Sequence, residues 1–174
     1  MKAVIPANNL LSYTQTTYSP DATHALGQRL GQFLQAGQVI ALHGDLGAGK
    51  TVLTQGIAAS LQISKRVTSP TFTLVNEYVA SGDRQLIHID SYRLGDSLVE
   101  AAQEAATFGL EELLATDNAI VVIEWAERVA ALLPPDHLRI EITYVAQDEL
   151  TRQLTFVAFG EQSQALLQAL IDAA

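Results

Sequence analysis

Two short apolar runs stand out in the pattern of hydrophobic and polar positions along the chain. Residues 39–42 and 120–123 are continuously apolar rather than alternating, which is typical of parallel strands covered by helices on both faces. The first run leads into a glycine-rich turn, after which Leu53, Ile57 and Leu61 recur every four residues. This pattern predicts a strand, a loop and a helix in that order.

The segment before the first apolar run is typical of a helix. Ser19 can accept a hydrogen bond from a free backbone N–H and Pro20 has no N–H to satisfy, so the pair predicts a helix start. An apolar face follows between residues 26 and 34. Gly37 is expected to end this helix.

Four later segments are expected to form antiparallel pairs. Residues 74–79 and 86–89 flank the polar turn 81–83, which predicts a hairpin-like excursion. Residues 138–145 and 152–159 alternate apolar and polar positions across another polar turn. Alternation of this kind predicts half-exposed strands.

Helix-forming sequence completes the pattern at residues 98–114, with a break at Gly109, and at residues 166–171. Parallel strands linked through helices, together with antiparallel edge strands, predict a three-layer α/β fold around a mixed sheet. The 174 residues contain no repeat or linker, and 48% of them are hydrophobic, so we expect one domain over residues 1–174. Ligands of such sheets bind beyond the carboxyl ends of the strands.

Composition narrows the class of protein further. The absence of cysteine excludes disulfides and thiolate metal sites. No apolar run approaches the roughly 20 residues of a membrane span, and the apolar start at residues 1–6 is broken too early for a signal peptide, so we expect a soluble, cytoplasmic protein. The net charge of -9 disfavours direct binding to RNA or to anionic membranes. That acidity serves either solubility or a face reserved for a basic partner.

Residues 44–51 carry the most specific signal in the chain. They read Gly-Asp-Leu-Gly-Ala-Gly-Lys-Thr and match the P-loop pattern, with an apolar strand before them and a helical period after them. The glycines let backbone N–H groups surround a phosphate. Lys50 would place its charge on the β- and γ-phosphates, and Thr51 would offer a hydroxyl to magnesium. No Asn-Lys-x-Asp element for guanine is present, which favours ATP.

Other polar residues follow the predicted strands. Asp90 and Glu124 each end an apolar run and compete for a second magnesium contact or for the attacking water. His88 either supports this site or is a satisfied core histidine. Trp125 could pack over the site or anchor a partner, although a core position is more frequent for tryptophan. Residues 65–72 suit a nucleotide-sensing switch, with an ordinary polar loop as the alternative.

Four motifs in order resemble the bacterial TsaE (YjeE) family: residues 44–51, 69–72, 88–94 and 123–125. The resemblance covers about residues 19–159. It implies a P-loop NTPase fold and an ATPase that supports formation of threonylcarbamoyladenosine in tRNAs that read codons beginning with adenine. In that family hydrolysis is thought to reset or activate a partner transferase complex, here TsaB- and TsaD-like proteins, which would supply the tRNA contact.

The resemblance also implies roles for individual residues. Thr51 and Glu124 would hold Mg²⁺, Asp90 would position or activate water as a catalytic residue together with Lys50, and residues 69–72 would be the switch. Ser91 stands where the family commonly has a hydrophobic residue. The expected ATP contacts are Thr23, Asp45, Leu46, Gly47, Ala48, Gly49, Lys50, Thr51 and Arg152.

Two alternative functions remain open at this point. A small-molecule P-loop kinase would use Asp90 as the base for a substrate hydroxyl, but the ten basic residues form no arginine-rich lid. A nucleotide-gated binding module would use ATP only to control association. For an ATPase of the TsaE kind we expect slow turnover alone and stimulation by partners, because P-loop proteins without a completed site hydrolyse poorly.

Overall fold

The computed structural model describes residues 10–82, 84–146 and 148–174. Two sequence-based expectations rest on positions outside these residues: the interrupted apolar start at residues 1–6, and Asp83 in the expected turn. Within the described ranges, no helix combines the length and apolar content needed to cross a membrane.

A seven-stranded sheet forms the middle layer of the described structure, in the order β1-β7-β6-β2-β5-β4-β3. The central strands β6, β2, β5 and β4 are parallel, whereas β7, β1 and β3 pair antiparallel with their neighbours. The strands are β1 (Leu11–Thr17), β2 (Val39–His43), β3 (Val75–Val79), β4 (Gln85–Asp90), β5 (Ala119–Glu124), β6 (Leu138–Val145) and β7 (Asp148–Ala158). The predicted mixed sheet is confirmed.

Helices cover both faces of this sheet. In the described chain they are α1 (Pro20–Phe33), α2 (Lys50–Ser60), α3 (Leu98–Thr107), α4 (Leu110–Leu114), α5 (Glu161–Asp172) and the 3₁₀ segment Ala126–Leu132. One core cluster joins α1, α2 and α5 to the first face, and a second joins α3, α4 and the 3₁₀ segment to the other. In β2, Ile40 and Leu42 belong to the first cluster and Val39 and Ala41 to the second. This division explains the continuous apolar run, because every side chain of the strand has a core to enter.

Most helix boundaries follow the local signals. The Ser19 hydroxyl accepts a hydrogen bond from the Ala22 N–H, and Gly109 separates α3 from α4 at a φ of 81°. The expectation that Gly37 ends the first helix is wrong. The helix ends at Phe33 because Leu34 turns to extended backbone, with φ -68° and ψ 136°, and Gly37 lies in the turn that follows. That turn directs the Leu34 side chain into the core, where it is buried.

Strand β1 was not predicted from the sequence. Its residues are mostly polar and half-buried, and it pairs antiparallel with β7 as the outermost strand. An edge strand of this kind has no continuous apolar run, so the hydrophobic pattern gives no signal for it. Its partner β7 begins at Asp148, several residues before the predicted start at residue 152.

Candidate functional site

A cavity of about 340 Å³ lies beyond the carboxyl ends of β2, β4 and β5. The parallel register puts Leu42 beside Glu124 and Glu124 beside Asp90, so the ends of these three strands meet at one edge of the sheet. The predicted P-loop follows β2 directly. The side chains that define the cavity include Lys50, Thr51, Asp90, Tyr92, Glu124 and Trp125.

The loop between β2 and α2 depends on glycine at three positions. Gly44, Gly47 and Gly49 have φ values of 132°, 76° and 108°, which favour a residue without a Cβ. A Cβ on Gly44 would lie 2.4 Å from the Ile142 carbonyl oxygen. Helix α2 begins at Lys50, immediately after this loop. Free N–H groups of the first helical turn and of the loop can therefore face an anion at this point.

Lys50 lies at the centre of the cavity. Its side chain is buried, and its Nζ donates hydrogen bonds to the carbonyl oxygens of Gly44 at 2.6 Å and Asp45 at 2.9 Å. The Nζ also lies 3.7 Å from the centroid of the Trp125 ring. Burial lowers the pKa of Lys50, and the nearby carboxylates, Glu124 first among them, oppose this shift. The ammonium group can exchange its carbonyl partners for phosphate oxygens.

Thr51 and Glu124 are in direct contact. The Thr51 hydroxyl lies 2.8 Å from Glu124 Oε1 and 3.0 Å from Oε2, and it donates to the carboxylate. The buried His88 ring approaches the same carboxylate, with Nε2 2.8 Å from Oε1. The two residues expected to hold magnesium thus have their side-chain oxygens next to each other.

This pair of oxygen donors fits Mg²⁺. Magnesium prefers oxygen ligands and is usually bound by one or two carboxylates together with substrate phosphates and water. In the described parts of the chain, no group of three or more His, Cys, Asp or Glu side chains could hold a metal without such help. Thr51 and Glu124 could hold Mg²⁺ together with water or a bound phosphate.

Asp90 is buried and fixed by three donors. Its Oδ2 accepts hydrogen bonds from the hydroxyls of Ser69 and Thr71, both at 2.6 Å. Its Oδ1 accepts one from the Tyr92 backbone N–H at 2.9 Å. These contacts tie the predicted switch, residues 69–72, to the end of β4. A carboxylate held in this way can orient a water molecule without rotating itself.

Trp125 forms one wall of the cavity. It is half-buried, its backbone φ is 60°, and its ring lies 4.8 Å from that of Tyr92. The Ser91 hydroxyl donates to the Trp125 carbonyl oxygen at 2.7 Å and is fully buried. The core position that residue frequencies favour is therefore not the one that Trp125 occupies. A hydrophobic residue at position 91 could not make this hydrogen bond.

The two weaker candidates for ATP contact both lie beside the loop. Thr23 is buried, and its hydroxyl lies 2.8 Å from the Thr17 hydroxyl, while its γ-methyl is 3.9 Å from where a Cβ on Gly49 would stand. Arg152 donates from Nε to the Ala48 carbonyl oxygen at 3.1 Å. Both residues contact or neighbour the P-loop, and their contacts with ATP stay predictions.

Tyr144 is a site residue that sequence reasoning missed. Its hydroxyl donates to the Leu46 carbonyl oxygen at 2.8 Å, and its ring lies 4.1 Å from the Arg152 guanidinium. Tyr144 and Arg152 together bind successive carbonyl groups of the loop, which leaves the loop N–H groups for a ligand. No local motif could reveal this contact, because 98 positions separate Tyr144 from Leu46.

Glu127 adds negative potential beneath the loop. Its Oε2 lies 3.7 Å from His43 Nδ1, and burial raises the pKa of Glu127. Burial, with Arg139 and His137 nearby, lowers the pKa of His43 to about 4. His43 is therefore neutral at pH 7, and its contact with Glu127 is not an ion pair. Glu127 is instead one of the carboxylates that favour the charged form of Lys50.

Comparisons with known proteins agree with this geometry. A protein-family model described as threonylcarbamoyl adenosine biosynthesis protein TsaE matches residues 17–154. The tRNA threonylcarbamoyladenosine biosynthesis protein TsaE of Bacillus subtilis (strain 168) is 37% identical over 154 residues, covering 88% of this chain and 90% of that protein. The protein of the same name from Nostoc sp. (strain PCC 7120) is 42% identical over 143 residues, covering 80% and 82% of the two chains.

A solved structure gives the same result for the fold. The crystal structure of Bacillus subtilis YdiB superimposes with a TM-score of 0.77 and 31% sequence identity, covering 94% of this chain and 97% of that one. The fold is the P-loop fold predicted from residues 44–51. The chain belongs to the TsaE family, the proteins of threonylcarbamoyladenosine biosynthesis.

Proposed function

We propose that this protein is an ATPase that binds Mg–ATP at the P-loop cavity and supports threonylcarbamoyladenosine modification of tRNA. One observation carries the proposal: the glycine-dependent loop, Lys50, the Thr51–Glu124 pair and Asp90 all line a single cavity. This is the set of groups that phosphoryl transfer requires, namely an anion cradle, a cation, oxygen ligands for magnesium and a carboxylate near the attacking water.

Each group has a distinct task. The loop N–H groups and Lys50 bind the phosphates, with Lys50 leaving the carbonyl oxygens of Gly44 and Asp45. Thr51 and Glu124 hold Mg²⁺, which neutralises charge on the phosphates when it is bound. Asp90 orients water for attack on the γ-phosphate, and the hydroxyls of residues 69–72 keep its carboxylate in place. Thr23 and Arg152 contact the nucleotide or steady the loop beside it.

Protein partners complete the site. Leu46 lines the cavity, and Phe72 follows the cavity-lining Thr71 in the chain. Both are large apolar side chains, 74% and 83% exposed, and a bound protein would cover them. The acidic net charge disfavours direct binding to tRNA. We therefore propose that the chain works in the cytoplasm with TsaB- and TsaD-like proteins, and that ATP hydrolysis resets or activates their transferase complex.

The test is phosphate release measured with and without those partners. We expect slow release by the isolated protein and a marked increase when the partner complex is added. Rapid, kinase-like turnover with no partner would contradict the proposal. Phosphorylated metabolite without free phosphate would favour the small-molecule kinase instead.

A further inference from the structure

His88 is a fully buried polar residue whose contacts lead into the proposed magnesium site. It lies on β4, two residues before Asp90. Its Nε2 is 2.8 Å from Glu124 Oε1, the same oxygen that lies 2.8 Å from the Thr51 hydroxyl. Glu124, itself buried, therefore has two donors on one carboxylate oxygen.

The surroundings of the other ring nitrogen of His88, Nδ1, indicate which nitrogen donates to Glu124. Among the described residues, the buried Nδ1 has no hydrogen-bond partner. A neutral imidazole has one N–H and one acceptor nitrogen, and a carboxylate can only accept. Nε2 therefore carries a proton, which it donates to Glu124.

The two donors on Glu124 differ in what else they would bind when a metal is present. The Thr51 hydroxyl would also offer an oxygen lone pair to the metal, so its position would depend on the metal. His88 approaches from β4, inside the sheet, and its bond can persist. Hydrogen bonds of this kind to metal-binding carboxylates commonly fix the ligand's orientation.

A purely structural role does not explain well why His88 and Glu124 are buried together. Burying a carboxylate and an imidazole costs free energy that an apolar pair of similar volume would avoid. Two neighbours of His88 on this face, Leu86 and Val122, are apolar and belong to the first core cluster, whereas its other neighbours, Asn76 and Asp90, are polar. An apolar residue at position 88 would continue that cluster.

We propose that His88 is a positioning residue that holds the Glu124 carboxylate towards Mg²⁺ through its Nε2–H. The inference rests on the proposed function, since it requires that Thr51 and Glu124 bind magnesium beside a nucleotide. His88 itself touches neither the metal nor the phosphates. Its effect is on the affinity for Mg²⁺ and on the rate at saturating nucleotide.

A matched pair of variants isolates the hydrogen bond. Gln and Met are unbranched and similar in length, but only Gln carries an N–H donor at its end. Calorimetry with ADP in EDTA, and then with increasing Mg²⁺, separates nucleotide binding from metal binding. Urea unfolding of each variant checks that the fold is retained.

We expect His88→Met to bind ADP in EDTA within about twofold of the native protein. The Mg²⁺ concentration that this variant needs for tight ADP binding should rise roughly 10- to 100-fold, which is the usual effect of losing a hydrogen-bond partner of a metal ligand. In phosphate release, kcat should fall while KM for ATP at saturating Mg²⁺ changes little. His88→Gln should recover most of the Mg²⁺ affinity.

Two results would overturn the role of His88 alone: a native Mg²⁺ requirement in His88→Met, or an equal loss in both variants. If the ADP affinity of the native protein does not depend on the Mg²⁺ concentration, the proposed metal site is wrong as well. Nitrogen NMR of the native protein gives an independent check that needs no variant. We expect the His88 ring to carry a proton on Nε2 with and without Mg–ADP, and an Nε2 without a proton would refute the proposal.

Discussion

Substitution of Gly44 tests whether the loop shape, rather than the fold in general, creates the phosphate site. Gly44→Ala places a Cβ 2.4 Å from the Ile142 carbonyl oxygen, at a φ of 132°. Gly82→Ala is the matched control: its φ is also positive, at 72°, but no atom lies within 4 Å of the added Cβ. Both variants suffer backbone strain, and only the first also distorts the loop.

The expected magnitudes follow from these contacts. Positive φ alone costs about 1–2 kcal/mol in Gly82→Ala, which corresponds to a fall in Tm of roughly 2–8 °C for a chain of this size. In Gly44→Ala the steric overlap adds about 1–3 kcal/mol, for a total of about 2–5 kcal/mol. Relief of the overlap moves the loop away from β6, so the loop N–H groups no longer point towards one phosphate position. Mg–ATP affinity should therefore fall at least about tenfold.

Urea unfolding gives the stability of each variant, and calorimetry gives its affinity for Mg–ATP. Native affinity in Gly82→Ala shows that lost stability by itself does not impair binding. A folded Gly44→Ala protein that binds Mg–ATP as tightly as the native chain would refute the argument from loop shape.

Three further predictions follow from contacts around the cavity. Asp90→Asn should lower partner-stimulated phosphate release about 100-fold or more and leave Mg–ATP affinity within a few-fold of the native value. Equal release rates in the variant and the native protein would show that Asp90 takes no part in the reaction. Tyr144→Phe loses the bond to the Leu46 carbonyl oxygen, worth about 0.5–1.5 kcal/mol, so calorimetry should find Mg–ATP affinity roughly two- to tenfold weaker; native affinity would show that this bond does not shape the loop. His43, with its pKa lowered to about 4, binds its proton more weakly in the folded state than in the unfolded chain. Its contribution to stability is therefore fully present above about pH 6.5 and is lost as the pH falls towards 4. Urea unfolding of His43→Gln should therefore show a weaker loss of stability between pH 7 and pH 4, and the same pH dependence as the native protein would contradict this assignment.

The parts of the fold that the sequence predicts are those with a local cause. Strands β2 and β5 are buried on both faces, so the side chains before their polar last residues are all apolar. These apolar runs are visible in the sequence without knowledge of the neighbouring strands. The P-loop is visible because backbone approach to a phosphate requires glycine at fixed spacing. The polar edge strand β1 has no such requirement, since its side chains are mostly half-exposed and pair only with β7.

The organisation of the candidate site was only partly accessible from the sequence. Asp90 and Glu124 could be identified as strand-end carboxylates, but their ranking depended on which one reaches Thr51. The fold answers this through the order of the strands, which brings Glu124 into contact with the Thr51 hydroxyl and Asp90 into contact with Ser69 and Thr71. Contacts such as these join residues that lie far apart in the chain, and no local pattern encodes them.

The corrections have a similar origin. Gly37 resembles a helix terminator, but burial of Leu34 ends α1 three residues earlier. For Trp125 the sequence leaves a core position and a place over the site open, and residue frequencies favour the core. Its ring lies over Lys50 because Trp125 follows the buried end of β5 and turns at a positive φ. The end of α1 and the location of Trp125 therefore depend on packing between elements, which local sequence signals do not show.

Calorimetric titration of the folded protein with ATP in the presence of Mg²⁺ tests the central claim most directly, with Lys50→Ala as the comparison. We predict one Mg–ATP bound per native chain. Loss of the Lys50 charge removes about 1.5–3 kcal/mol of charge-assisted hydrogen bonding, so Lys50→Ala should bind roughly 10- to 100-fold more weakly. Absence of binding by the native protein, or equal affinity in a folded Lys50→Ala variant, would contradict the account.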